Sequence, residues 1–446
     1  MKIPDRRRKG NFMSEHFKDV SRTAARVLVI GAGASGLMAA IAAAKAGAKV
    51  TVLDGMQKAG RKLLMTGNGR CNLTSLDPEL PNRYHSSDPE AVSAAASAVF
   101  SNFSVQDTLD FFTREGLLLH SKDTYVYPHS DQAASVLRTL LDCAGRLGVT
   151  IRCQTPAREI RKGPQGQGLR VRTEGWEYEA DAVILCAGSK AVSATGSDGS
   201  GYDLASSTGH TIIPVVPALT ALCVKDRLLP LAAGARSHAC LTLFLDDDTK
   251  PALRERGELQ WTKDALSGIA VFQVSSLAAR ALYEERDVKL CIDLVPEMEE
   301  EALMSFLEAQ IKAASFSGEK DAGSRTLSSV LQKIIHDRIA SYLLARSALK
   351  SIPVSALKHG QIRQICGLLK NLSFTADHTR GFENAQTCSG GVSLREIDTE
   401  TLQSRRFEGL YFAGEILDID GPCGGYNLQW AWSSGYTAGN AAAKRY

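Results

Sequence analysis

The stretch Arg26-Val27-Leu28-Val29-Ile30-Gly31-Ala32-Gly33-Ala34-Ser35-Gly36 runs a β-branched strand former into a glycine-rich turn. Leu37–Ala46, rich in helix formers, follows; Gly47 closes it, and Lys49–Leu53 forms a second strand-like run that stops at Asp54. Strand, turn, helix and strand in this order make a βαβ unit with the G-x-G-x-x-G spacing of a dinucleotide site. Each glycine has a separate task. Gly31 permits the tight turn, Gly33 lets the backbone approach a pyrophosphate, and Gly36 lets helix and strand pack closely. Ala34 and Ser35 then sit at the helix N-terminus, which faces the phosphates. Asp54 places a carboxylate where a ribose hydroxyl needs an acceptor and where a 2′-phosphate would be repelled. On this unit alone, FAD and NAD both remain open.

Outward from that unit, 446 residues exceed what one hydrophobic core supports, so two or three domains are expected. With 44% apolar and 23% charged residues, disordered and collagen-like chains are excluded. A net charge of +3, with basic residues spread along the chain, offers no stripe to a nucleic acid or an anionic membrane, so neither partner is expected. The one basic cluster, Arg6–Lys9, lies in a polar segment, residues 1–24, read as a flexible tail without the apolar run of a signal peptide. Val27–Leu53 is apolar but is interrupted by Gly31, Gly33, Ser35, Gly36, Lys45 and Lys49, unlike the ~20 unbroken apolar residues of a membrane helix. The ten cysteines form no C-x-x-C pair and no Cys/His cluster with metal-ligand spacing. Reduced thiols, no metal and a cytoplasmic location are expected.

Gly60-Arg61-Lys62-Leu63-Leu64-Met65-Thr66-Gly67-Asn68-Gly69-Arg70-Cys71-Asn72 has neither strand nor helix periodicity. Its glycines allow close backbone approach, and Arg61, Lys62 and Arg70 are placed to meet a pyrophosphate or an anionic reduced flavin. A solvated basic loop is the alternative. At the far end of the chain, Gly409–Ala413 reads as a buried strand delivering Gly414-Glu415, with Asp418 and Asp420 before Gly421. An acid after such a strand can bind ribityl hydroxyls. Gly424-Gly425-Tyr426-Asn427-Leu428-Gln429 then opens a helix running through Trp430 and Ser434 toward Ala443. Its positive end points back at the cofactor and favours a negatively charged reduced flavin. A turn that merely packs a terminal helix is the alternative. Two nucleotide-type turns at opposite chain ends favour FAD.

The βαβ unit and the Gly60–Asn72 loop, Tyr127-Pro128 with Ser130-Asp131, Asp181–Gly188, Thr195–Tyr202, Gly209-His210 and most of Gly390–Gly439 are similar to the BaiN/YhiN-like family of NAD(P)/FAD-dependent oxidoreductases. The resemblance implies an α/β fold: a Rossmann-like FAD-binding domain of the two-dinucleotide-binding flavoprotein type, with an inserted β-rich, barrel-like domain and a small helical subdomain. It implies cofactor contacts at Gly60, Arg61, Lys62, Asn68, Gly69, Arg70, Cys71 and Asn72. Further contacts follow at Ala157, beside adenine after the strand Val149–Cys153, and at Cys186-Ala187-Gly188 on a crossover strand where Ala-Thr-Gly is more usual. The clamp contacts it implies are Gly414, Glu415, Asp418, Gly424, Gly425, Tyr426, Asn427 and Leu428.

Between Gly201 and Pro296 short strand-like runs recur, among them Ala221–Val224, Cys240–Leu245 and Val288–Ile292. Gly257–Thr262 and Ser267-Gly268 resemble another family segment, but Ala265 and Ile269 stand where the family has glycine and proline. That departure predicts altered backbone geometry and a shifted substrate preference. From Glu297 the pattern is helical: Leu303, Phe306, Leu307 and Ile311 share a face, with later helices near Leu327–Ile335, Ile339–Ala345 and Ala356–Leu369. Leu372–Ala376 is again strand-like. The expected division is a discontinuous FAD-binding domain over 25–199 and 386–446, a β-rich substrate domain over 200–296 and 372–385, and a helical subdomain over 297–371.

Family members are described as reducing C=C bonds conjugated to a ketone, including 3-oxo-4,6-diene bile-acid intermediates. The resemblance therefore implies FAD, NADH or NADPH as electron donor, and a small hydrophobic substrate. A nicotinamide domain of its own and a C-x-x-x-x-C redox pair are both missing from the sequence, so NAD(P)H is expected to dock transiently over the flavin. A flavin amine oxidase of the aminoacetone type and a non-catalytic flavin-binding protein are the alternatives. No catalytic residue is fixed. Tyr426 is a candidate proton donor by position, and Cys71 and Cys423 read as packing residues beside the flavin rather than nucleophiles.

Overall fold

The computed structural model describes residues 24–316, 326–349 and 352–444. The Arg6–Lys9 cluster lies outside the described residues. Arg26–Ile30 is the middle strand of a five-stranded sheet. Lys49–Leu53 flanks it on one side and Ala182–Leu185 on the other, both parallel. Thr150–Arg152 continues one edge and Leu410–Phe412 the other, each shorter than the run read from sequence. A parallel sheet covered on both faces needs apolar side chains on both, which is why Val27–Ile30 and Ala182–Leu185 are unbroken apolar runs, all buried.

The helix Ala34–Lys45 leaves the sheet at the glycine turn and packs along the last helix, Tyr426–Lys444. Two glycines one turn apart make this possible. A Cβ on Gly435 would stand 2.4 Å from the Ser35 carbonyl oxygen, and one on Gly439 would stand 2.2 Å from that of Ala39. The Gly414 N–H donates to Ser434 Oγ at 3.0 Å, and Trp430 Nε1 donates to the Gly414 carbonyl at 3.2 Å. The two chain ends are thus one packed unit.

The second core belongs to a closed six-stranded barrel. Around it run Leu222–Val224, Ala265–Ser267, Leu253–Trp261, Arg236–Leu245, Val288–Asp293 and Leu372–Thr379. Trp261, Tyr342 and Phe374 meet inside this core, with ring centroids 5.7 to 6.2 Å apart. Helices Glu300–Phe316, Leu327–Leu331, Asp337–Ser347 and His359–Lys370 cover it. Leu303, Leu307 and Ile311 are buried as their spacing predicts, but Phe306 is 40% exposed, because it lies at the margin of that face. The long helix Ile269–Tyr283, unrecognised in the sequence, buries Val271, Val274, Ala278 and Ala281. Its i, i+3 apolar spacing was a readable signal, diluted by alanine and serine. Tyr202, Leu204 and Ala205 of the helix Ser200–Ser207 pack into the first core, and Ile212–Ala218 pairs antiparallel with Thr387–Val392.

Candidate active site

At the first turn the glycines divide their work as the spacing predicts. Gly31 has φ +102°, and a Cβ there would stand 2.4 Å from the Cys186 carbonyl oxygen. A Cβ on Gly36 would stand 1.8 Å from the Gly31 carbonyl, so this glycine serves helix–strand packing and does not line the cavity. Gly33 is extended, at φ −82° and ψ −165°, and a Cβ there would meet nothing within 4 Å. It opens, with Ala34 and Ser35, onto a cavity of about 790 Å³. Asp54 lines the same cavity and is oriented by two backbone amides. Ala32 N–H donates to Oδ2 and Met56 N–H to Oδ1, each at 2.7 Å, leaving further lone pairs on both oxygens.

In the basic loop Gly67, Asn68, Gly69 and Cys71 all hold positive φ, +57°, +55°, +84° and +61°. Left-handed geometry at Asn68 and Cys71 is costly for residues with a side chain and marks a backbone held by its surroundings. Gly60, Arg61, Lys62, Asn68, Arg70 and Asn72 line the cavity; Gly69 and Cys71 do not. Burial pushes the Cys71 thiol up to about 12, which leaves it inert. Arg70 lies over the Tyr127 ring, its Cζ 5.3 Å from the centroid. Lys62 donates to Glu415 Oε2 at 2.6 Å, and Ser189 Oγ donates to the same oxygen at 3.0 Å. Two charges 353 residues apart in the chain are therefore partners in the cavity wall.

Ala157, Cys186, Ala187, Gly188, Glu415, Gly424, Gly425, Asn427 and Leu428 also line the cavity. Cys186 is buried and its thiol is pushed up to about 12 by that burial. Three clamp residues lie elsewhere. Gly414, at φ +81°, is wedged against Ser35, where a Cβ would stand 2.4 Å from Oγ. Asp418 is buried, and its Oδ2 accepts from Ser86 Oγ, Ser87 N–H and Ser87 Oγ. Tyr426 donates its hydroxyl to Asp77 Oδ2 at 2.7 Å, away from the cavity, so the position that suggested a proton donor is spent on structure. Asn427 has its amide bound to the loop: Oδ1 accepts from Gly421 N–H at 2.9 Å and Nδ2 donates to the Gly421 carbonyl at 2.8 Å.

Sequence reasoning missed an apolar wall. Leu219, Ile269 and Phe272 line the cavity together with Tyr125 and Tyr127 of the strand Tyr125–Pro128. Ile269 is the first residue of its helix, after Gly268 at φ +95°. A proline fits that position without loss of a hydrogen bond, so the family's proline and this isoleucine suit the same backbone. What changes at Ile269 is the side chain presented to the cavity, not the helix start. Ala265, the other departure, is fully buried in the barrel.

A parallel sheet with a nucleotide turn on its central strand, closed by a second glycine turn from the opposite chain end, defines a Rossmann-type nucleotide-binding protein. The chain belongs to the family described as HI0933-like protein Rossmann domain, which matches residues 25–441. Over 423 residues it is 41% identical to the 3-dehydro-bile acid delta(4,6)-reductase of Clostridium scindens, covering 94% of this chain and 99% of that protein. It is 29% identical to the ribosomal RNA dihydrouridine synthase of Escherichia coli, over 92% of this chain and 96% of that one. A solved 3-ketosteroid-delta4-(5alpha)-dehydrogenase from Rhodococcus jostii, in complex with 4-androstene-3,17-dione, aligns at a TM-score of 0.47 and 16% identity, covering 96% and 99% of the two chains. The family resemblance read from the sequence is borne out. The expectation that no nucleic acid is a partner finds no support, given the second relative. No helix among the described residues is long and apolar enough to cross a membrane.

Proposed function

We propose that this chain is an FAD-dependent oxidoreductase that reduces a C=C bond conjugated to a carbonyl, in a 3-oxo-4,6-diene bile acid or related steroid, with NADH or NADPH as donor. The observation that carries the reading is one cavity whose lining joins the nucleotide turn, the clamp turn and an apolar wall. The residues present fit the cofactor: bare backbone at Gly33, a helix N-terminus beside it, an oriented carboxylate at Asp54 and a second helix N-terminus at Tyr426–Lys444. FAD, when bound there, supplies two-electron hydride chemistry between nicotinamide and substrate carbon. Gly33, Ala34 and Ser35 would hold the pyrophosphate, Asp54 the adenosine ribose and Ala157 the adenine edge. Glu415, held by Lys62 and Ser189, would meet the ribityl chain. Leu219, Ile269 and Phe272 shed water from the substrate's ring system, as a steroid nucleus requires. The relative from Clostridium scindens supports this substrate class.

A second reading rests on the relative from Escherichia coli. Uracil carries its C5=C6 bond conjugated to the C4 carbonyl, so reducing a uridine in RNA makes the same electronic demand as reducing an enone. Anaerobic stopped-flow absorbance separates the cases. The proposal expects NADH or NADPH to bleach the flavin and a steroid 4,6-dien-3-one to restore its colour. Recolouring by uridine-containing ribosomal RNA alone would transfer the assignment to the second reading. Bleaching by an amine with oxygen-dependent recolouring would mark an oxidase, and resistance to every donor a binding protein. A purified chain that is colourless and takes up no flavin would sink the proposal.

A further inference from the structure

We propose that the Tyr125 hydroxyl is the proton donor of this reaction, an inference that rests on the conjugate-reduction reading. Tyr125 and Tyr127 alternate with buried Val126 on one strand, so both rings face the same side, and both line the cavity. Their surroundings differ. Tyr127 is built into the wall, with Arg70 over one part of its ring and His120 stacked at 5.8 Å. Tyr125 lies on the clamp turn itself: Gly424 has φ +122°, and a Cβ there would stand 2.5 Å from Tyr125 Cε1. The turn's glycine is thus the seat of this ring. The Tyr125 hydroxyl has no hydrogen-bond partner among the described residues, while the Tyr426 hydroxyl is spent on Asp77.

Asp420, near the turn, does not serve, being fully enclosed, hydrogen-bonded to Ser276 and absent from the cavity lining. Burial, with Cys423, Tyr127 and Asp123 nearby, raises the Tyr125 phenol, so it carries its proton at neutral pH. With a hydride that a bound reduced flavin would supply, a C–H bond would form at the β-carbon and the C=C electron pair would move to give an enolate. Tyr125 then forms the second C–H bond by giving its proton to the α-carbon. The phenolate left behind takes a proton from water. The same bookkeeping holds for a uracil, with hydride at C6 and the proton at C5.

Tyr125→Phe tests this. Flavin content, bleaching by nicotinamide and the equilibrium binding of the dienone to oxidised protein, read from the perturbed flavin spectrum, are expected within about threefold of the parent. Recolouring by the oxidant that serves the parent is expected to slow by about 10² to 10⁴. Tyr426→Phe, at a ring outside the cavity lining, is expected to recolour within about threefold of the parent. Should the phenylalanine variant fail to fold, 3-fluorotyrosine in place of Tyr125 is expected to move the alkaline limb of the recolouring rate to lower pH. Recolouring at the parental rate in Tyr125→Phe, or an unmoved alkaline limb, overturns the inference. If neither dienone nor uridine-containing RNA recolours the parent, the conjugate-reduction reading falls, and Tyr125 with it.

Discussion

The two glycine-rich turns look alike on paper and differ in what their glycines answer to. In the first, Gly31 and Gly36 answer to protein atoms and Gly33 to empty space in the cavity. In the second, both glycines answer to protein: Gly424 to the Tyr125 ring, and Gly425, at φ +93°, to the Thr74 backbone 2.6 Å from a notional Cβ. A glycine in a nucleotide turn is therefore not by itself a ligand contact. The first turn keeps one residue bare for a ligand, while the second is packed by its neighbours and offers the ligand its helix end.

The comparison breaks first at the positions enclosed by protein. Gly36→Ala and Gly425→Ala each place a methyl group inside backbone contact distance, with left-handed strain added at Gly425. Each should cost about 3 kcal/mol or more, read as loss of soluble protein or a lowered urea midpoint. The second turn also carries a buried charge in its approach loop. Burial pushes Asp420 up to about 7, with Asp418 adding to the rise against the hydrogen bonds from Ser276 and Ser389 and the charge of Arg280. The folded state holds that proton more tightly than the unfolded chain, so this group's contribution to stability is full below about pH 4 and is lost as pH rises through about 7. Asp420→Asn should flatten that part of the profile, a change on the order of 1 to 3 kcal/mol in urea unfolding at pH 5 against pH 8.

Gly33→Ala sharpens the contrast in the opposite direction. The fold should tolerate it to within about 1 kcal/mol, since its φ and ψ suit any residue and its methyl meets nothing. Flavin retained after dialysis should fall about tenfold, or about 1.4 kcal/mol. Parental flavin content in this variant would mean that the first turn, too, is spent on packing. Smallest is Lys62→Met, which leaves Glu415 with Ser189 alone. Both partners are about one-fifth exposed, so the expected loss is about 1 kcal/mol in urea unfolding.

Much of this was readable locally. Arg26–Ile30 and Lys49–Leu53 are legible to their observed limits, because strand, turn and helix signals sit within about thirty residues of one another. The barrel is legible only as a β-rich stretch; Leu253–Trp261 gives no clear strand signal, because charged and apolar residues mix along it. At the candidate site, types and spacing proposed Lys62 and Glu415 separately but could not pair them. Nor could they tell Tyr426, which looked aimed at the cofactor, from Tyr125, which lines the cavity.

The sequence by itself determined the nucleotide turn, the parallel sheet around it and the family, because each rests on residues whose chemistry acts on near neighbours in the chain. The tertiary structure alone decided which glycines remain open, which charges meet and which tyrosines face the cavity. Those outcomes depend on atoms brought within a few ångströms from segments hundreds of residues apart, and no local pattern encodes a distance of that kind.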